Sequence, residues 1–175
     1  GRIVSRILIV DDEAELRQSI WHIVSRLGHE TVLAGSGEEA LDALRTQHID
    51  LIVTDLRLPA IDGLELLRRA RAASPHVEVI VMTAFGNVPL AVAAVKEGAY
   101  DFLSKPFSRA DLERAVARAL EHQQLASENR RLRLQLDGRA GTPASRIIGQ
   151  SEAIQRMLAL VEQAAPSAAN VLIEG

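Results

Sequence analysis

With 175 residues, a formal charge of −3 and no cysteine, the chain is long enough for one full domain and part of a second; it lacks the basic excess that nucleic-acid binders set against phosphates and excludes disulfides, thiol nucleophiles and thiolate metal sites. Its 47% hydrophobic and 25% charged residues are ordinary for a soluble globular domain, which excludes a disordered or fibrous chain. No apolar run approaches the roughly 20 residues needed to span a bilayer, and the first residues form no signal-like leader, so a cytoplasmic setting without membrane contact is expected.

Short apolar runs alternate with longer stretches of helical period, five of each, the α/β pattern of a parallel sheet covered by helices on both faces. The first strand is Arg6 to Val10, followed by a helix from about Glu13 to Leu27 with Leu16, Ile20, Ile23, Val24 and Leu27 on one face, stopped by Gly28. Glu30 to Ala34 is the second strand. Ser36 caps a helix running to Gln47, with Glu39 completing a capping-box spacing. Leu51 to Thr54 is the third strand, and a loop with Pro59, Asp62 and Gly63 leads into a helix over Leu64 to Ala73. Val77 to Met82, a helix over Val88 to Glu97, and Tyr100 to Leu103 complete the alternation before a last helix begins after Ser108.

That unit covers 1–120. The last helix has no stop signal there, because Glu121 to Asp137 contains neither glycine nor proline. Leu125, Asn129, Leu132 and Leu136 follow a four-three-four spacing, the seam of a short coiled coil in which the polar Asn129 sets register. A homodimer through this helix is one reading; a single amphipathic helix folded back on the domain is the other. Gly138 to Ser145 reads as linker, so 121–145 forms a connecting segment. From 146 to 175 a new organisation begins, with a helix through Ile154, Met157, Leu158 and Val161 and a strand over Ala168 to Ile173.

In an open parallel sheet the loops at the carboxyl ends of the strands converge. Asp11 and Asp12 close the first strand and Asp55 the third, an arrangement suited to a hard cation such as Mg2+. The fourth and fifth ends supply Thr83 and Lys105. Phosphoryl transfer needs an in-line nucleophilic oxygen, a cation on the phosphoryl oxygens and further donors around them. Asp55 is therefore expected to form an acyl phosphate. Asp12 is expected to bind the metal directly, Asp11 through water, and the Arg57 backbone carbonyl as a third ligand. Lys105 would pair with the phosphate, and Thr83 would donate to it and draw its loop inward. Phe102 is a candidate rotamer switch. A single Asp at a strand end is more often a turn residue, but five such groups on one rim are not explained that way. The histidines, His22, His29, His48, His76 and His122, show no metal-ligand spacing.

These residues resemble the receiver family of two-component signalling, through Ile7-Leu8-Ile9-Val10-Asp11-Asp12-Glu13, Asp55-Leu56-Arg57-Leu58-Pro59 with Asp62-Gly63, Met82-Thr83-Ala84 and Lys105-Pro106-Phe107. The resemblance implies a flavodoxin-like doubly wound sheet of order 2-1-3-4-5, Mg2+ dependence, phosphorylation of Asp55 by a histidine kinase and a cis Lys105–Pro106 bond. It also implies kinase contacts on the first helix and the fifth-strand loop, and a tuning of phosphate lifetime by Arg57 and Phe85. Such a domain is a phosphoacceptor rather than an enzyme. Ile147-Ile148-Gly149-Gln150-Ser151 and Asn170-Val171-Leu172-Ile173-Glu174-Gly175 are similar to the start of the AAA+ domain in sigma-54-dependent activators of the nitrogen-regulation class. Full-length members act on ATP, sigma-54 RNA polymerase and DNA. The phosphate-binding loop expected after that strand is not in this chain, so ATP hydrolysis by that route is not expected of it. Two rivals remain open: an aspartyl-phosphate phosphohydrolase, which would want an acid where Arg57 stands, and a non-phosphorylated dimerisation module.

Overall fold

The computed structural model describes residues 3–84 and 86–139, with side chains as far as residue 136. Five strands, β1 (Arg6–Val10), β2 (Glu30–Ala34), β3 (Leu51–Asp55), β4 (Glu78–Ala84) and β5 (Asp101–Lys105), alternate with helices α1 (Ala14–Arg26), α2 (Gly37–Thr46), α3 (Gly63–Ala73), α4 (Val88–Lys96) and α5 (Arg109–Arg139). All strand pairs are parallel and the order is β2-β1-β3-β4-β5, the flavodoxin-like arrangement expected. The central strands consist of unbroken apolar runs because both of their faces are covered. Ile7, Leu8, Ile9 and Val10 are fully buried, as are Leu51, Ile52 and Val53, and each such side chain contributes about 2 kcal/mol.

Alternation splits the core in two. Ile7, Ile9, Val53, Ile80 and Met82 pack with Ile20 and Val24 of α1 and Leu112 and Val116 of α5. Leu8, Val10, Ile52, Val79 and Val81 pack with Ala40 of α2, Leu66, Leu67 and Ala70 of α3, and Ala94 of α4. Side chains cap the starts of α2 and α3, whereas α1 and α4 begin without one. The Ser36 hydroxyl accepts the Glu39 N–H and the Asp62 carboxylate accepts that of Glu65 at 2.8 Å. The capping box is displaced by one residue, since the Glu39 carboxylate returns to the Gly35 N–H at 2.7 Å rather than to Ser36. Gly63 has a packing reason: a Cβ there would lie 2.3 Å from the Asp55 carbonyl oxygen and 2.6 Å from Leu56 Cα. Ala60, in the same loop, is a non-glycine residue at φ 62.

The observed β3, β4 and β5 run past their predicted ends at Thr54, Met82 and Leu103, so that Asp55, Thr83 and Lys105 belong to the strands themselves. By contacts the chain divides into two compact units, Gly1–Ser127 and Glu128–Gly175. Helix α5 continues beyond residue 120 as expected, and it includes Gly138, which was expected to open the linker; glycine costs a helix interior only about 1 kcal/mol. Leu125, Leu132 and Leu136 are exposed, as is Asn129. The expected elements from Gly141 onward, and Phe85, lie outside the described residues.

Candidate functional site

β1 lies between β2 and β3, so the chain leaves the sheet's centre in opposite directions after β1 and β3, and the loops there open a crevice. Register decides what lines it. Val10 pairs with Thr54, which puts Asp11 and Asp55, one residue further along, level on neighbouring strands. Ala84 pairs with Lys105. The Lys105 ammonium reaches back along the rim and donates to Asp11 Oδ2 at 3.1 Å and to Asp55 Oδ2. The other Asp55 oxygen accepts the Arg57 N–H at 2.7 Å, and Asp11 Oδ1 accepts the Glu13 N–H at 2.9 Å. The Lys105–Pro106 peptide is cis.

Asp11 is completely buried, and this burial raises its carboxyl pKa above the usual range despite the hydrogen bonds from Glu13 and Lys105. Burial alone would lower the pKa of Lys105, but its hydrogen bonds to Asp55 and Asp11 outweigh that and hold the ammonium above its ordinary value. Asp12 is exposed. The rim thus sets three carboxylates against one ammonium, and among the described residues no second cation pairs with them.

Among the described residues no three His, Asp or Glu side chains converge to enclose a metal ion. Magnesium does not require such a cage, because it keeps several waters and takes one or two carboxylates with a carbonyl. The uncompensated charge and the all-oxygen donors, Asp11, Asp12, Asp55 and the Arg57 carbonyl, fit that cation.

Thr83 and Phe102 stand apart from this cluster. Asp55 pairs with Met82, so strand alternation turns Thr83 to the opposite face. Thr83 is buried there, and its hydroxyl donates to the neighbouring Ala84 carbonyl at 3.5 Å. Phe102 packs on that same face against the cluster containing Val81. Arg17, which the residue pattern does not single out, donates from Nη1 to the Asp11 carbonyl at 2.5 Å. Beside the cluster an apolar groove of about 390 Å3 is lined by Leu16, Ala84, Lys105, Pro106 and Phe107. At the opposite end of the sheet Glu78 is buried beneath His122, whose Nδ1 lies 2.8 Å from the carboxylate.

The model of the response regulator receiver domain matches residues 7–117. The chain is 38% identical over 171 residues to the C4-dicarboxylate transport transcriptional regulatory protein DctD of Pseudomonas aeruginosa, covering 98% of this chain and 37% of that protein. It is 35% identical over 170 residues to the DNA-binding transcriptional regulator NtrC of Klebsiella pneumoniae, covering 95% and 34%. Among solved structures it is similar to NtrX from Brucella abortus, with TM-score 0.72 and 34% identity over 94% of this chain and 35% of that one. The chain spans about a third of the length of these relatives.

Proposed function

The chain belongs to the response regulator receiver family, and from that membership we propose that Asp55 accepts a phosphoryl group from a partner histidine kinase, switching the domain between two states. The observation that carries this is the Asp55 carboxylate itself, oriented by the Arg57 N–H on one oxygen and the Lys105 ammonium on the other. An Asp55 oxygen attacks phosphorus, the phosphorus–nitrogen bond of the donor breaks, and the leaving imidazole takes up a proton. Mg2+, held by Asp12, Asp55 and the Arg57 carbonyl with Asp11 acting through water, would neutralise the phosphoryl oxygens. Lys105 exchanges its contact with Asp55 for one with the phosphate. Thr83 turns its hydroxyl to the new oxygens and draws its loop inward, and Phe102, on the same face, follows it.

The groove beside Lys105 supports docking of the kinase against α1 and the β5–α5 loop, where apolar Leu16, Pro106 and Phe107 stand next to the acceptor. The exposed leucines of α5 support a homodimer, since a second copy of the helix would cover them. In this reading 1–120 is the receiver, 121–145 the dimer helix and linker, and 146–175 the start of an AAA+ domain in a cytoplasmic sigma-54-dependent activator. The whole protein would then use ATP, sigma-54 RNA polymerase and DNA.

Intact mass after incubation with acetyl phosphate and Mg2+, beside an Asp55→Asn variant, tests the acceptor. Wild type alone is expected to gain one phosphoryl group. Equal gain by both moves the acceptor elsewhere, no gain by either leaves a dimerisation module, and rapid turnover without a retained phosphoryl group favours a phosphohydrolase.

A further inference from the structure

We infer that Arg17 is a positioning residue of this site: its guanidinium fixes the peptide plane between Asp11 and Asp12 and so sets the direction in which the Asp12 carboxylate meets a divalent cation. The inference rests on the metal-assisted phosphoacceptor reading above and deepens it.

Every polar atom of Asp11 is engaged. Its N–H donates to the Ala34 carbonyl at 3.3 Å, Oδ1 accepts from Glu13 and Oδ2 from Lys105, and its carbonyl accepts from Arg17 at 2.5 Å. Asp12 is the opposite case. It is exposed, and among the described residues its carboxylate has no partner that would orient it. The two residues share one planar peptide, so holding the Asp11 carbonyl also fixes where the Asp12 N–Cα bond starts. The exposed acid thereby gains its direction from a contact made one residue earlier.

The guanidinium also lies against the loop after β2. A Cβ on Gly35 would lie 3.5 Å from Arg17 Nη1, so the guanidinium that donates to the Asp11 carbonyl after β1 also borders the loop after β2. Its position is half-buried, one turn into α1. A mere counter-charge to the acids would lie against their carboxylates, as Lys105 does; Arg17 donates instead to a backbone carbonyl.

Charge and positioning predict opposite signs. A guanidinium near a cation site repels the cation, so removing it through charge alone tightens Mg2+ binding. Removing an orienting contact weakens binding, by about 10-fold for a partner of this kind. Calorimetric titration of the whole chain with MgCl2 decides between them, using wild type, Arg17→Met, Arg17→Gln, Arg17→Lys and Asp12→Asn. The expected result is about 10-fold weaker binding for Arg17→Met and a smaller loss for Arg17→Gln, which keeps an N–H donor without charge. Arg17→Lys keeps the charge but not the planar fork; it is expected to bind more weakly than wild type, and it carries the test should the Met variant not fold. Binding as tight as wild type or tighter in Arg17→Met, or in Arg17→Lys where that variant stands in, overturns the inference. If Asp12→Asn also binds Mg2+ like wild type, the metal reading itself falls and Arg17's role falls with it. If Asp12→Asn loses binding while Arg17→Met keeps it, only the role of Arg17 is lost.

Discussion

The two ends of the sheet handle negative charge in opposite ways. At the amino end, Glu30 pairs with Arg6 at 2.6 Å, Asp50 accepts the Arg6 N–H at 2.8 Å and meets His48 at 3.1 Å, and Glu78 lies between His122 at 2.8 Å and Arg71 at 3.9 Å. Each acid there has its own donor. At the carboxyl end Asp11 and Asp55 share the ammonium of Lys105, and Asp12 is exposed, with no cation paired to it among the described residues. Both ends are built from the same strands with the same buried runs, so the difference lies in the pairing of charge. Satisfied carboxylates stabilise a fold, whereas a surplus held on one rim costs stability and leaves room for a ligand.

That contrast breaks if the site end proves as tolerant of displacement as the other end is of nothing but pairing. The largest effect is expected at Gly63. A methyl group there meets the Asp55 carbonyl at 2.3 Å, so Gly63→Ala must push β3 away from the start of α3. A loss of roughly 3 kcal/mol or more in urea unfolding is expected, together with failure to phosphorylate. A variant that keeps both would show that the approach of loop and strand relaxes at little cost. The next largest effect belongs to the amino end. His122→Ala leaves the buried Glu78 with its nearest cation 3.9 Å away, at a cost of about 1–3 kcal/mol, while the rate of phosphorylation by acetyl phosphate stays that of wild type. A changed rate would mean that the two ends are coupled through β4.

Much of this contrast was legible in the residues. The run Ile7 to Val10, followed by Asp11 and Asp12, announces a buried strand that delivers acids to a rim, and Asp55 and Lys105 follow by the same logic. Strand ends were less legible: Thr83, Ser104 and Lys105 look like loop residues, yet the ladder continues through Thr83 with Ser104 and Ala84 with Lys105, because backbone pairing does not depend on an apolar side chain. The Arg17 contact with the Asp11 carbonyl and the Arg57 N–H contact with the Asp55 carboxylate were not legible. Both involve main-chain atoms, which every residue carries, so no residue pattern distinguishes them. The pairing of Glu78 with His122 spans 44 positions and depends on how α5 lies on the sheet, which helical period alone does not specify.

The smallest effect is also the sharpest test of the contrast, because its sign is unusual. Burial raises the Asp11 carboxyl above its ordinary pKa, so the folded state favours its protonated form. Its contribution to stability is complete at acid pH, below the unfolded value, and is lost as pH rises through the folded value. Glu97, lowered by its hydrogen bonds from Arg68, behaves in the ordinary way and loses its contribution as pH falls. Asp11→Asn should therefore raise the urea midpoint slightly at neutral pH. The gain is about 1 kcal/mol or less, since the Lys105 contact given up offsets part of the burial relieved. The gap between variant and wild type should close as pH falls and wild-type Asp11 takes up its own proton, while Mg2+ affinity is lost. If Asp11→Asn is instead clearly less stable at neutral pH, Asp11 is a structural acid of the same kind as Glu78, and the surplus charge that separates the two ends is not a cost borne for a ligand.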